Sequence, residues 1–167
     1  MKIKTNVTFK EYVKLIYSLI YGKLILKLLV TVAILIALWI ILHYTKLLNL
    51  PKPIIYQYIT LGLIAIVQPV AIYITIRRNY YSSNYLRETL ETEIDNDEIK
   101  IQGKTFYMVL KWNHIFKVVE KPNWFLIYQN NLSAIIIPKC DLQEEDINYL
   151  QNILKNLANI SVELLEE

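Results

Sequence analysis

Residues 24–42 read LILKLLVTVAILIALWIIL, and residues 54–76 read IIYQYITLGLIAIVQPVAIYITI. The first run has one charged residue, Lys27, near its start, and the second run has none. An α-helix rises about 1.5 Å per residue, so about 20 apolar residues cross a hydrocarbon core of about 30 Å. The two runs therefore predict two transmembrane helices joined by a loop at residues 43–53.

A pair of buried helices in a soluble protein is the alternative to membrane spans. It requires a large polar shell around both helices, and the rest of a 167-residue chain that is 54% apolar cannot supply one. The membrane prediction is favoured for that reason. No small-residue cleavage site follows the first run, so we expect a permanent anchor rather than a signal peptide.

Positive charge is concentrated on one side of the predicted spans. Residues 1–87 carry eight lysines and three arginines against one acid, a net charge of +10, whereas residues 88–167 carry a net charge of −7. The loop at residues 43–53 has only Lys46 and Lys52 as basic side chains besides a histidine. Because basic segments stay on the cytoplasmic side, both termini are predicted to be cytoplasmic and the loop extracytoplasmic.

Residues 1–23 form an amphipathic segment before the first span. Thr8 and Glu11 have the spacing of a capping box, which predicts a helix that begins at Phe9. An apolar stripe recurs at helical spacing in that helix, with lysines off the stripe. Two arrangements remain open: a helix that lies in the interface beside anionic lipid, and an extension of the first span that is bent near Gly22.

Three residues of the second span, Gln57, Gln68 and Pro69, interrupt its apolar character. Polar side chains beside a helix-breaking proline at membrane depth can mark a transport path, which makes an oligomeric transport or channel component the alternative function. No Asp, Glu, Arg or His lies in the middle of either span, and two helices enclose no path without oligomerisation. Packing and hydrogen bonding between helices are therefore the favoured roles of these residues.

Residues 77–85 (RRNYYSSNY) are a polar and aromatic juxtamembrane connector, and residues 86–167 are predicted to form a cytoplasmic domain. Alternation of apolar and polar residues, interrupted by turn residues, predicts six short strands in this domain. The predicted strands are residues 90–94, 99–101, 105–112, 115–120, 124–129 and 134–137. Strands at this spacing predict a strongly bent sheet or a small barrel.

An amphipathic helix is predicted after Pro138, where the strand pattern ends. Asp141 and Glu144 repeat the capping-box spacing ahead of an apolar stripe. The stripe consists of Leu142, Ile147, Leu150, Ile153, Leu154 and Leu157. It must cover the sheet, so the expected domain is an α+β fold of six or seven strands closed by a C-terminal helix, which is the pleckstrin-homology-like arrangement.

Three segments resemble the YcxB-like family of bacterial membrane proteins. They are WNHIFKVVE at residues 112–120, WFLIY at residues 124–128 and AIIIPK at residues 134–139, and the two spans precede them. The resemblance implies a protein of the bacterial plasma membrane whose C-terminal domain is similar to bacterial pleckstrin-homology domains, and it implies no activity. Cys140 and Asp141 depart from the basic or aromatic residue that often follows the last segment in that family.

The residue sets that catalysis and metal binding require are missing from the sequence. Cys140 is the only cysteine, so no intrachain disulfide forms, and His114 is its only imidazole partner on the cytoplasmic side. The acids at residues 91–98 lack the spacing of a calcium loop, and no phosphate-binding glycine motif occurs. We therefore predict no catalytic, cofactor or metal site, and a protein that is not an enzyme.

Lysines outnumber acids in residues 99–140, where six lysines accompany one acid, Glu120. Lys100, Lys104 and Lys121 are the predicted contacts with an anionic membrane surface, each worth about 1 kcal/mol near the bilayer. Lysines on a sheet also serve solubility alone. The expected function is a membrane-tethered, non-catalytic sensory or adaptor module that contacts a protein partner or the anionic bilayer. Self-association is the alternative to a protein partner, and no nucleic acid is expected as a partner.

Overall fold

The computed structural model describes residues 1–131, 133–157 and 160–165. It divides the chain into a helical unit, Phe9–Ser82, and a second unit that consists of Met1–Thr8 and Ser83–Glu167. The second unit is therefore discontinuous in sequence, because the helical unit is inserted after its first eight residues.

The helical unit, all of which is described, contains four α-helices. They are α1 Phe9–Tyr21, α2 Leu24–Tyr44, α3 Ile55–Gly62 and α4 Gln68–Ser82. A π-helical turn, Leu63–Val67, joins α3 to α4, so that Ile55–Ser82 is one continuous helix of 28 residues. The first part of the predicted connector, residues 77–82, is thus helical, because RRNYYS contains no glycine or proline that would end a helix.

α1 is a separate helix that begins at Phe9, as the sequence predicts. It does not run on into α2 as one helix, because Lys23 has an extended backbone with φ −70° and ψ 137°. α1 packs antiparallel to α4: the ring of Phe9 lies 5.3 Å from that of Tyr80, and the Tyr17 hydroxyl donates to the Pro69 carbonyl oxygen at 2.8 Å. α1 is thus a separate helix that packs along α4 within the helical unit.

Two four-stranded sheets form the second unit, within the residues described. The first has the order β1-β2-β3-β4 and is antiparallel throughout; its strands are β1 Lys2–Thr5, β2 Leu90–Ile94, β3 Glu98–Gln102 and β4 Tyr107–Lys111. The second has the order β7-β6-β5-β8; its strands are β5 Lys117–Lys121, β6 Trp124–Tyr128, β7 Ala134–Pro138 and β8 Ser161–Glu163. Among the described strands of this sheet, β5 and β8 form the only parallel pair.

The prediction of six or seven strands in a bent sheet or barrel was wrong in the number of strands and in the expectation of a closed barrel. Among the described residues there are eight strands in two sheets, and no barrel closes. The two strands that the sequence pattern missed, β1 and β8, are four and three residues long. Segments this short have too few alternating positions to be recognised, and long-range pairing decides their conformation. Residues Trp112–His114 form a short 3₁₀ turn, so β5 begins at Lys117 instead of at the predicted residue 115.

A short helix, α5 Asn84–Arg87, precedes β2. Both sheets and the C-terminal helix, α6 Glu144–Lys155, bury their apolar side chains in one core. The first sheet contributes Ile3, Leu90, Ile94, Ile99 and Ile101; the second contributes Val118, Phe125, Ile127, Ile135 and Ile137; α6 contributes Leu150, Ile153 and Leu154. The predicted role of α6, to cover the sheets with its apolar stripe, is confirmed.

The start of α6 differs from the predicted capping box. The helix begins at Glu144, and the Gln143 N–H donates a hydrogen bond to Asp146 Oδ2 at 3.3 Å. Asp141, which was predicted as the cap, lies in a 3₁₀ turn and accepts the Asn6 N–H at 2.9 Å. The Asp141 carboxylate thus ties the segment after β1 to the end of β7, a contact that spacing along the chain could not reveal.

Candidate interaction sites

Two helices, Leu24–Tyr44 and Ile55–Ser82, are long and apolar enough to cross a membrane by length and composition. Most of their large apolar residues are exposed; Leu24, Ile34 and Ile66 are examples. A helix that is apolar on all sides needs an apolar environment, either a protein core or lipid.

Gln57 and Pro69 both take part in hydrogen bonds of the helical unit. Gln57 Oε1 accepts the Ile54 N–H at 3.0 Å and thereby caps the start of α3. The Pro69 carbonyl oxygen accepts the Tyr17 hydroxyl. Gln68 is half-buried and follows the π-helical turn, and within the helical unit its side chain makes no hydrogen bond.

The π-helical turn before Pro69 has a physical cause. A proline inside an α-helix lacks an N–H and its ring clashes with the carbonyl four residues earlier. Here the Gln68 N–H bonds the Leu63 carbonyl oxygen, a five-residue step that widens the helix just before the proline. The turn therefore lets Ile55–Ser82 continue as one helix across Pro69.

The three lysines predicted to contact the bilayer lie on two different sheets. Lys100 is in β3, Lys104 is in the turn after β3, and Lys121 ends β5. Lys100 Nζ lies 3.1 Å from Glu98 Oε1, and the hydrogen bond that Lys100 donates to this carboxylate raises the pKa of Lys100. Part of its positive charge is therefore already neutralised within the sheet.

Cys140 and His114 lie in different turns. Cys140 is exposed in the turn after β7, with its Sγ 3.7 Å from Asp141 Oδ1, whereas His114 closes the 3₁₀ turn before β5. In residues 1–131, 133–157 and 160–165, no group of three or more His, Cys, Asp or Glu side chains could hold a metal ion.

The acids of the β2–β3 hairpin line an open cavity of about 720 Å³. Asp95, Asp97 and Glu98 face it, together with the amide of Asn156. Trp112 also lines the cavity, and its indole N–H donates to the Asp95 carbonyl oxygen at 2.8 Å. The cavity is wide and polar, as expected for a solvated hairpin.

A buried carboxylate, Glu120, is the centre of a network that sequence reasoning missed. Its Oε1 accepts hydrogen bonds from Lys139 Nζ at 2.5 Å and from Gln151 Nε2 at 2.9 Å, and its Oε2 accepts the Leu165 N–H at 3.1 Å. The network joins β5, the turn after β7, α6 and the segment after β8. The available signal was that Glu120 is the single acid among six lysines.

The charge on Glu120 is stabilised by this network. Burial raises the pKa of Glu120, but the hydrogen bonds from Lys139, Gln151 and Leu165 outweigh burial and hold the pKa below its ordinary value. Lys139 Nζ also lies 4.9 Å from the centre of the Phe125 ring. Because every partner comes from the same domain, the network stabilises the fold and offers no free group to a ligand.

A second carboxylate, Glu88, fixes the turn between β3 and β4. Its Oε2 accepts the N–H groups of Lys104 at 2.6 Å and Thr105 at 3.0 Å, and its Oε1 accepts the Thr105 hydroxyl at 2.6 Å. A Cβ atom at Gly103 would come within 2.6 Å of both Glu88 Oε2 and the Phe106 ring. The close approach of Glu88 therefore requires glycine at this position.

Four outer strands lie in the part of the chain that the structure describes, and two of them have protected edges. On β1, Lys2 and Lys4 pair with Glu93 and Glu91 and place charge along the edge. On β7, Tyr85 accepts the outward Ile136 N–H at 3.1 Å, and Pro138 has no N–H to offer. A third outer strand, β8, has only three residues.

The fourth outer strand, β4, has an open edge. The bonds Gly103 N–H to Phe106 O and Trp112 N–H to Asp97 O lie just beyond the two ends of the β3–β4 pair. Because bonding alternates along an antiparallel pair, Tyr107, Val109 and Lys111 direct their N–H and C=O groups away from β3.

No described strand pairs with this side of β4. Tyr107 and Val109 are 62% and 41% exposed as whole residues, and the apolar centre of the edge has no charge to protect it.

A cavity of about 310 Å³ opens beside β4. Met108 and Phe106 line it from the β4 side, and Gln129, Ala134 and Ile135 line it from the second sheet. Gln129 Nε2 lies 3.5 Å from Met108 Sδ at one side of the cavity. An extended segment that pairs with β4 would therefore find space for its inward side chains.

Residues 94–154, which include β3 to β7 and most of α6, match the family described as YcxB-like protein. This agrees with the resemblance carried by the segments at residues 112–120, 124–128 and 134–139. No curated protein matches the chain. No solved structure matches it.

Proposed function

We propose that this chain is a membrane-tethered, non-catalytic adaptor whose two-sheet domain binds a protein through the open edge of β4. The observation that carries the proposal is the row of outward N–H and C=O groups at Tyr107, Val109 and Lys111. An extended segment that adds to a sheet edge gains main-chain hydrogen bonds, and neighbouring cavities select its side chains.

The anchor in this proposal consists of α2 and the helix Ile55–Ser82 in the bacterial plasma membrane. Residues 1–27, which end in the first turn of α2, contain six lysines. Arg77 and Arg78 follow the second apolar run, whereas the loop between the helices has two lysines. This distribution supports a cytoplasmic location for both termini and for the two-sheet domain.

The domain is pleckstrin-homology-like in this proposal. Two packed sheets with a C-terminal helix against their shared core support that assignment. Fold does not decide the ligand, so the ligand is argued from the surface. The alternative contact, an anionic bilayer at Lys100, Lys104 and Lys121, has weaker support because Lys100 is ion-paired and Lys121 lies on the other sheet.

A photocrosslinking side chain at Tyr107 tests the binding edge in intact membranes. We expect adducts to protein at Tyr107, and none from the same side chain at Lys4 on the charged β1 edge. Val109→Pro, which removes an outward N–H without touching the β3 ladder, should abolish the adducts. Val109→Thr keeps the N–H and should retain them. Absence of adducts at Tyr107, or their survival in Val109→Pro, would contradict the proposal.

Membrane topology is tested with the exposed thiol of Cys140. An impermeant maleimide added to intact cells should not label Cys140 until the membrane is permeabilised. In Cys140→Ala, a cysteine introduced at Asn49, in the loop between the long helices, should be labelled without permeabilisation. The reverse pattern would place the domain outside the cytoplasm.

A further inference from the structure

The β4 edge is complementary to itself, and we infer that its partner is the β4 edge of a second copy of this chain. The inference rests on the proposed function and names the protein that the edge binds. Two copies of β4 that run antiparallel and meet at Val109 would form one continuous eight-stranded sheet from their first sheets.

The register follows from which groups point outward. Tyr107, Val109 and Lys111 alternate along the free edge, so a two-fold axis at Val109 sets each Val109 against its counterpart. The same axis sets Tyr107 of one copy against Lys111 of the other, twice. Each of these positions then both donates and accepts a main-chain hydrogen bond, which satisfies the whole edge.

Side-chain chemistry agrees with this register. Tyr107 and Lys111 are both exposed, and a lysine ammonium over a tyrosine ring is a favourable cation–π pair. Val109 against Val109 is an apolar cross-strand pair of β-branched residues. No like charges face each other in the register. A parallel pairing would lose the two-fold symmetry and would not close.

The cavity beside β4 supplies the space that the second strand needs. Met108 and Leu110 point toward the core side and are only partly buried. In the paired state, the same residues of the second copy lie beside them, next to the cavity of about 310 Å³. The edges of β1 and β7 are less suited to pairing with a second copy. Charged side chains lie along the β1 edge. On β7, Tyr85 already accepts the outward Ile136 N–H, and Pro138 has no N–H.

Cysteine crosslinking of the full chain in membranes tests the register, with Cys140→Ala as background. Directly opposed residues of a hydrogen-bonded pair have Cα atoms about 5.5 Å apart, which a disulfide can bridge. Under mild oxidation, Val109→Cys should give a covalent dimer. Tyr107→Cys alone and Lys111→Cys alone should not, whereas the two coexpressed should crosslink to each other. Equal crosslinking of all three single variants, or none with Val109→Cys, would overturn the inference.

Oligomeric state gives a second measurement that does not depend on disulfide geometry. The wild-type chain in detergent or nanodiscs should be dimeric, and Val109→Glu should lower the association constant roughly tenfold or more, because two carboxylates then oppose each other. Within one copy Val109 lies opposite Lys100, so the glutamate is tolerated by the monomer. Val109→Thr is the control and should stay dimeric. A monomeric wild type, or a dimer that Val109→Glu leaves intact, would refute the pairing.

The two proposals fail separately. If Tyr107 photocrosslinks only to another protein and Val109→Cys gives no self-adduct, the edge binds protein but not a second copy. If Tyr107 gives no adduct and the chain is monomeric, both proposals fall.

Discussion

Glu120 and Lys139 form a charge-assisted hydrogen bond of 2.5 Å between side chains that are 1% and 15% exposed. One residue is on β5 and the other follows β7, nineteen positions later. The pair fixes the turn after β7 against β5, and Gln151 brings α6 to the same carboxylate.

Removal of the Glu120 carboxylate should strongly destabilise the domain. Glu120→Ala leaves the Lys139 ammonium without its partner, and breaking a buried ion pair costs about 3–5 kcal/mol of unfolding free energy. We expect a clear drop in the melting temperature of the purified chain. Glu163→Gln is the matched control, because its pair with Lys117 is longer, at 3.9 Å, and more exposed. Equal effects of the two substitutions would contradict this role for Glu120.

Acid should remove the contribution of Glu120. Its pKa in the folded chain lies below the ordinary value of 4.5, so the unfolded chain binds the proton more readily. The stabilisation is complete above about pH 5 and is lost as the pH falls through the lowered pKa. The difference in melting temperature between wild type and Glu120→Gln should narrow as the pH falls from 7 to 3. A gap that stays constant over this range would refute the linkage.

Gly103→Ala should destabilise the turn between β3 and β4. The new Cβ would lie 2.6 Å from the Phe106 ring and from Glu88 Oε2, and overpacking of this kind costs about 1–3 kcal/mol. Gly62→Ala is the control, since its Cβ would meet nothing within 4 Å. We expect a lower melting temperature only for Gly103→Ala. An unchanged melting temperature for Gly103→Ala would contradict the claim that the turn requires glycine at this position.

The N-terminal strand should be required for a stable domain. Residues 83–167 alone lack β1, whose Ile3 is buried in the core and whose loss exposes the edge of β2. Joining residues 1–8 to residue 83 through a short flexible linker should restore cooperative unfolding. In the joined protein, Ile3→Ala should cost about 2–4 kcal/mol. Lys2→Ala should cost less than about 1 kcal/mol, because its ion pair with Glu93 is exposed. Identical unfolding with and without residues 1–8 would show that β1 is dispensable.

Local periodicity was enough to predict many of the elements. The two long helices, six of the strands and α6 each have a long enough run of residues with one period to be recognised without the rest of the chain. Their boundaries shifted where the signal was weak: α2 and Ile55–Ser82 extend past the apolar runs, and α6 begins at Glu144 because Asp146, not Glu144, receives the capping N–H.

The residues of the binding surface were harder to identify from the sequence than the helices and strands. Lys100, Lys104 and Lys121 were grouped because they share a basic stretch, but strand order separates them into two sheets. Tyr107, Val109 and Lys111 were not singled out, because an open edge is a property of what lies beside a strand. The sequence of β4 is the same whether or not a neighbour pairs with it.

The sequence by itself determined that the chain has two helices apolar enough for a membrane and a following α+β domain, since both depend on interactions between near neighbours in the chain. Only the tertiary structure decided that β1 and β8 complete the sheets, that Glu120 meets Lys139, and that β4 keeps a free edge. These features depend on pairing between residues that are far apart in sequence, and no local pattern encodes which distant segment takes a given place.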